Sequence, residues 1–277
     1  MGLLCGGGSL PLRVAASVRG QGYRVVAVGI EGEADPEIRN AADEVTWTGI
    51  ARLGQWIHVF QEARCSAVMM CGGIEKARMF GNKAALLPDL RTVKFWGSRL
   101  ASREDHTILG ALAEEFEKEG LTVGSIPEYC PDLLIRQGCL TRRRPGKKQW
   151  KDVVFGWGVA KYIAAAQIGQ CVVVKERAVV AVEGIDGTDA TLKRGGELAG
   201  SGAVAVKVPR EDHDIRFDIP CIGPDTVDVL SESRVGVLAV EAEGTVLIDA
   251  DVVREKADAA GVVIVAVTPD EIAQAAS

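Results

Sequence analysis

Gly2-Leu-Leu-Cys-Gly-Gly-Gly-Ser-Leu-Pro11 and Tyr23-Arg-Val-Val-Ala-Val-Gly29 are the two stretches that decide the fold of this chain. The first is a short apolar run that breaks on glycines. Leu12, Val14, Ala15 and Val18 then recur at helical spacing, closed by Gly20, and the second stretch has the length and composition of a buried strand. Strand, glycine turn, helix and strand make one βαβ unit. Further out, residues 51–64 carry another helical pattern, and Ser66-Ala-Val-Met-Met-Cys71 is a third strand that again ends on glycines, Gly72 and Gly73. Residues 103–119 form a helix with Ile108, Leu112 and Phe116 as its core stripe, and a strand follows over 121–126. This alternation implies a parallel sheet covered on both faces, a Rossmann-like N-terminal domain over residues 1–135. Ligands of such sheets bind at the carboxyl ends of the strands, where helix N-termini attract anions. Gly6-Gly-Gly-Ser9 either brings backbone N–H groups against a phosphate or makes a tight turn without a ligand. It matches neither G-x-G-x-x-G nor a Walker A motif.

Residues 136–151 are loop-like around Thr141-Arg-Arg-Arg-Pro-Gly-Lys-Lys148 and serve as the expected linker. The basic run is either a solvated surface segment or a contact with an anionic membrane. Residues 152–277 read as a mixed-sheet α+β domain. A helix over 152–167 precedes strands at Cys171–Lys175 and 178–183, joined by a short hairpin at Glu176-Arg177. Thr188 reads as the N-cap of the next helix. A strand over 204–208 follows, and 235–240 with 245–248 reads as an antiparallel pair. A helix over 250–260, a strand over 262–267 and a tail helix close the chain.

Composition narrows the function. With 277 residues, 47% hydrophobic and 25% charged, the chain is a globular protein with room for two cores. A net charge of −6 and 5% aromatic content argue against nucleic acid as a partner. The seven cysteines include no C-x-x-C pair, so free thiols in a reducing cytoplasm are expected. No secretory signal and no apolar run of the roughly 20 residues that span a bilayer is read, so any lipid is met from the water side.

The chemistry concentrates in Asp214-Ile-Arg-Phe-Asp-Ile-Pro-Cys-Ile-Gly-Pro-Asp-Thr-Val227, with Asp214, Asp218, Asp225 and Arg216, and in Glu183-Gly-Ile-Asp-Gly-Thr-Asp189. Carboxylates suit a hard cation such as Mg²⁺; Arg and Lys suit phosphate oxygens. Lys207, in an apolar strand, either points to solvent or faces Asp225 or a phosphate. Asp225 either serves a site or caps a helix.

These pieces resemble a family. Gly6-Gly-Gly-Ser-Leu-Pro11, Cys71-Gly-Gly-Ile-Glu-Lys76, Pro131-Asp-Leu-Leu134, Ile168-Gly-Gln-Cys-Val-Val-Val174, Val182-Glu-Gly-Ile-Asp-Gly-Thr-Asp-Ala190 and Asp214 through Thr226 resemble the LpxI-type UDP-2,3-diacylglucosamine pyrophosphatases of Gram-negative lipid A biosynthesis. The resemblance implies Mg²⁺-dependent hydrolysis of UDP-2,3-diacylglucosamine to UMP and 2,3-diacylglucosamine 1-phosphate (lipid X). It implies a two-domain homodimer with the ligand between the domains, cytoplasmic and at most peripheral to the inner membrane. Under it, Asp225 is the essential carboxylate, holding Mg²⁺ or activating water, and Asp214 and Asp218 are further metal candidates. Lys207 and Arg216 take phosphate charge, Lys207 and Asp214 joining Asp225 in catalysis. Thr188 and Asp189 hydrogen-bond the sugar phosphate and Thr226 contacts the substrate; Gly8, Ser9 and Leu10 hold the nucleotide or its phosphates, with Gly73 and Lys76 beside them. The rival is a non-hydrolytic nucleotide-sugar-binding protein or oxidoreductase of Rossmann type, whose dinucleotide fingerprint is missing.

Overall fold

The computed structural model describes residues 1–74, 87–99, 105–210, 214–216 and 219–276. The chain divides into two compact units, Met1–Leu133 with Asp214–Asp218, and Leu134–His213 with Ile219–Ser277.

The first unit runs β1 (Gly2–Cys5), α1 (Leu10–Gly20), β2 (Val26–Ile30), α2 (Ile38–Ala41), β3 (Glu44–Thr48), α3 (Leu53–Glu62), β4 (Ala67–Cys71), α4 (Leu90–Arg99), α5 (Asp105–Lys118), β5 (Thr122–Val123) and α6 (Ile126–Tyr129). Its sheet has the order β3-β2-β1-β4-β5, and every pairing is parallel. The runs in β1, β2 and β4 are buried at every position, as strands covered on both faces must be. The Rossmann-like reading therefore holds. The strand order reverses between β1 and β4, and such a switch point opens a crevice at the carboxyl ends of its strands. One core layer gathers Val28, Ile57, Phe60, Val68 and Phe116, with the two phenylalanine rings 6.1 Å apart.

Three elements depart from the sequence reading. β3 was not anticipated, because Glu44-Val-Thr-Trp-Thr48 is a polar edge strand. Its Trp47 ring lies on Gly29, where a Cβ would come within 2.9 Å of the ring, and Thr48 Oγ1 accepts the Trp56 indole N–H at 2.6 Å. The expected strand over 121–126 shrinks to Thr122–Val123, because Ser125 caps α6 by accepting the Glu128 amide and Pro127 fits the first helical turn. The third is α4, which is fixed at its start rather than by a long apolar stripe. Asp89 Oδ1 accepts the Thr92 amide at 2.7 Å, while its Oδ2 accepts the Gly54 and Gln55 amides at 2.7 and 3.3 Å. Thr92 Oγ1 accepts the Leu53 amide at 3.0 Å. One carboxylate thus staples the N-termini of α3 and α4. Burial alone would raise the Asp89 carboxyl, but the Thr92 amide and hydroxyl and the Gln55 and Gly54 amides outweigh it and hold it below the usual range. Asp89→Ala is expected to lower stability in urea by about 2 kcal/mol. The depressed pKa sets the sign of the pH dependence. The contribution is present above the unfolded carboxylate pKa, about 4, and is lost as pH falls through the folded value. A mutant whose urea midpoint matches wild type at neutral pH would remove the staple.

The second unit runs β6 (Gly138–Cys139), α7 (Lys147–Ala165), β7 (Cys171–Lys175), β8 (Ala178–Val182), α8 (Gly187–Ala199), β9 (Ala203–Lys207), β10 (Cys221–Ile222), α9 (Pro224–Glu232), β11 (Val235–Glu241), β12 (Val246–Leu247), α10 (Ala250–Ala260), β13 (Val263–Val267) and α11 (Pro269–Ala276). Its main sheet has the order β6-β13-β11-β9-β7-β8. β9, β11 and β13 pair in parallel; β7 runs against both β8 and β9, and β6 against β13. It is the expected mixed sheet. Strand parity divides the core. Cys171, Val173, Ala203 and Ala205 face a layer with Leu192, Leu230 and Val253 of α8, α9 and α10; Val172, Val174, Val204 and Val206 face Val153, Trp157 and Ile272 of α7 and α11. The hairpin is present: Glu176 and Arg177 both take positive φ, 49° and 59°, and Asp152 accepts both of their amides.

Two expectations change here. The pair 235–240 and 245–248 is not antiparallel. β11 is an interior strand parallel to β9 and β13, and β12 pairs in parallel with β10 in a separate two-stranded sheet. The near-continuous burial of β11 is the mark of a parallel strand covered on both faces. The stretch 136–151, read as a linker, carries β6 and the first turn of α7 and is built into the second unit. The Thr141 hydroxyl accepts the Ile264 amide at 3.2 Å, and Asp258 accepts the Arg142 amide.

Candidate functional site

In the first unit, the glycines after β1 and β4 meet at the switch point. Gly6 N–H donates to the Cys71 carbonyl at 2.8 Å. Gly7 and Gly73 exchange two backbone hydrogen bonds of 2.7 and 3.1 Å. A Cβ on Gly6 would lie 2.5 Å from the Gly73 carbonyl oxygen, and one on Gly72 would lie 2.6 Å from that of Gly7. Gly72 also has φ +88°. Glycine at these positions is therefore required by backbone against backbone. This accounts for Gly73, whose amide is engaged by the neighbouring loop. Gly8 (φ +86°) stands clear, with no atom within 4 Å of a Cβ built on it. Ser9 precedes α1 without a side-chain cap, and Leu10 opens the helix. Gly72→Ala is expected to cost roughly 2–4 kcal/mol of stability, from positive φ and the clash together. Thermal melting at the wild-type temperature would show that the loops can part.

Asp214 and Arg216 group with the first unit. Arg216 Nε donates to both Asp214 oxygens at 2.8 Å, Nη2 to Oδ2 at 2.5 Å, and Nη1 to Glu117 of α5 at 2.5 Å. The Arg216 guanidinium, donating its hydrogen bonds, holds the Asp214 carboxyl below the usual range. Asp218 and Lys76 lie outside the described residues.

In the second unit the chemistry gathers at the carboxyl ends of β8 and β9. Lys207 ends β9 on the face of Ala203 and Ala205; it is only 8% exposed, so the solvent-pointing alternative does not hold. Its Nζ donates to the Cys221 carbonyl at 3.4 Å, the sole acceptor it has among the described residues. An ammonium carries three donors, and a buried one with a single neutral partner is poised for an anion. Cys221 opens the short β10, which leads into Gly223 and α9. The Gly223 amide donates to Thr226 Oγ1 at 3.2 Å, and Asp225 sits in the first helical turn, exposed and without a partner among the described residues. Thr188 does not cap α8, which begins at Gly187. Its hydroxyl instead donates to Glu183 Oε1 at 3.0 Å, and Asp189 lies in the first turn, exposed.

Glu183, named in the sequence reading only as the start of its polar cluster, is the residue to which that reading assigns no role. It is buried, and its other oxygen accepts the Gln170 amide at 3.1 Å. A carboxylate directly after an apolar strand and before a glycine was the available signal. Cys171, in register with Lys207, reports the local field. Burial pushes its thiol up to about 12, helped by the Glu183 and Asp189 carboxylates and opposed by the Lys207 ammonium. It therefore stays protonated at neutral pH and is no nucleophile. All seven cysteines are free thiols, and burial likewise raises Cys130 to about 11. Among the described residues no group of three or more His, Cys, Asp and Glu side chains is gathered for a metal.

The arrangement defines a class: a two-unit α/β protein with a buried lysine and two helix N-termini at the carboxyl edge of its second sheet. Residues 1–133 match the LpxI N-terminal domain and residues 136–265 the LpxI C-terminal domain, so the chain belongs to the LpxI family. It is similar to the UDP-2,3-diacylglucosamine pyrophosphatase LpxI of Caulobacter vibrioides, 29% identical over 282 residues that cover 98% of each chain.

Proposed function

We propose that this chain hydrolyses UDP-2,3-diacylglucosamine to UMP and 2,3-diacylglucosamine 1-phosphate in lipid A biosynthesis, acting as a cytoplasmic homodimer. The relative's name supports the substrate. The observation that carries the chemistry is the buried Lys207 ammonium, with one carbonyl partner among the described residues, at the head of the loop that leads to Asp225.

Hydrolysis requires neutralisation of phosphate charge, a positioned water and a proton acceptor. Lys207 takes a phosphate oxygen, in a setting where low polarity strengthens the attraction. The Thr226 hydroxyl accepts from Gly223, so its own proton is free to donate to phosphate. Thr188 gives its proton to Glu183 and so presents oxygen lone pairs, suited to a sugar hydroxyl, with Asp189 beside it. Water attacks one phosphorus, the bond to the bridging oxygen breaks, and the water proton passes to Asp225. In the first unit, Arg216, whose guanidinium nitrogens donate to Asp214 and Glu117, would exchange one of these partners for phosphate, and Gly8, Ser9 and Leu10 would offer their loop to the nucleotide.

Mg²⁺ fits this donor set. It commonly takes one or two carboxylates and completes its shell with water and substrate phosphates. Asp225, exposed and unpartnered among the described residues, would hold it. Asp214 has both oxygens on Arg216. When bound, the ion would neutralise charge on the pyrophosphate. The test is UMP release from UDP-2,3-diacylglucosamine by purified protein, with Mg²⁺ or with excess chelator. Mg²⁺-dependent release is the expected result. Full activity in chelator would remove the ion from the mechanism, and no release by folded protein would leave a nucleotide-sugar binder.

A further inference from the structure

Between Glu75 and Glu104 the sequence carries seven basic residues and one acid, Asp89, in a chain whose net charge is −6. Helix α4 lies within this stretch, and its orientation is set from inside. Thr92 and Phe95 are buried, Thr92 bound to the start of α3 and Phe95 in the core, while Asp89 fixes the first turn. The opposite face therefore points outward, and it is apolar. Leu90 is 83% exposed, Val93 52% and Trp96 41%, with Leu87 at 60% just ahead of the helix. Lys94 stands exposed beside Leu90 and Val93, and the helix contains no acid. Arg91 is turned aside to Glu115 and Glu119, so Lys94 is the cation that this outward face presents among the described residues.

An apolar stripe of this kind, held outward by a well-anchored inner face, marks a contact surface. Leucine, valine and tryptophan beside a lysine, inside a stretch of strong positive charge, are what a helix lying in the plane of an anionic bilayer presents. We propose that the outer face of α4 docks this protein on an anionic membrane surface, with Leu87, Leu90, Val93 and Trp96 entering the headgroup region and Lys94 facing lipid phosphates. The proposal stands apart from the hydrolase reading, since it concerns binding to lipid and not turnover.

The test is flotation of the full-length protein with vesicles of phosphatidylethanolamine and phosphatidylglycerol, and with vesicles of phosphatidylcholine alone. Wild type is expected to float with the anionic vesicles, less so at high salt, and at least tenfold less with the neutral ones. Leu90→Ser with Val93→Ser is expected to cut the bound fraction about tenfold and Lys94→Glu about fivefold. Both sites are exposed, so unchanged melting and unchanged UMP release from detergent-dispersed substrate accompany the loss. The proposal is overturned if wild type ignores anionic vesicles or if the α4 variants bind as wild type does. It is likewise overturned if Arg143→Glu with Arg144→Glu alone abolishes binding, which would place the contact on the basic run after β6. Concentration-dependent self-association that disappears in the double-serine variant, without vesicle binding, would make the stripe a contact between copies instead.

Discussion

Asp225→Ala is expected to lower kcat for UMP release by about three orders of magnitude, the range of a lost general base, while leaving substrate affinity and melting temperature close to wild type. The split follows from where Asp225 stands. It is exposed in the first turn of α9, it supports no neighbouring side chain among the described residues, and the helix start is held by Gly223 and Thr226 without it. Its structural contribution is limited to a carboxylate near a helix N-terminus, about 0.5 kcal/mol. A single-turnover experiment beside an equilibrium titration separates the two effects. Turnover within a few-fold of wild type would take Asp225 out of the reaction, whereas a matching loss of affinity would make it a binding group only.

Lys207→Met carries the second largest effect. Turnover is expected to fall by roughly two to three orders of magnitude, as when a preorganised electrostatic partner of the transition state is removed. Stability is expected to hold or rise, because methionine fills the lysine's apolar volume and relieves a buried ammonium that has one carbonyl for a partner among the described residues. This opposition of signs is the useful part, since a structural lysine would do the reverse. A drop in melting temperature of many degrees with turnover largely kept would assign Lys207 to the architecture of β9.

Much of this was legible because burial on both faces writes itself into composition. β1, β2 and β4 are continuous apolar runs, and the glycines after them are needed where two loops press backbone on backbone. What escaped reading depended on partners far away in sequence. Glu44-Val-Thr-Trp-Thr48 has the polarity of a loop and is a strand because β2 lies beside it. α4 rests on Asp89 reaching across to α3. The pair 235–240 and 245–248 looked antiparallel because adjacency along the chain suggests a hairpin, yet β11 finds β9 and β13. At the site, Lys207, Thr188 and Asp225 were named from their residue types. That Lys207 is buried, and that Thr188 leans on Glu183 instead of capping α8, depended on side-chain directions that spacing alone does not give.

The hydrogen bonds that join Gly7 to Gly73 make two glycine-rich loops behave as one object. Free glycine segments are expensive to immobilise, at roughly 1–2 kcal/mol of entropy per residue. Here that ordering is completed when the sheet forms, before any ligand arrives. A molecule that settles at the β1–β4 crevice meets a rim already shaped, and keeps more of its contact energy as affinity.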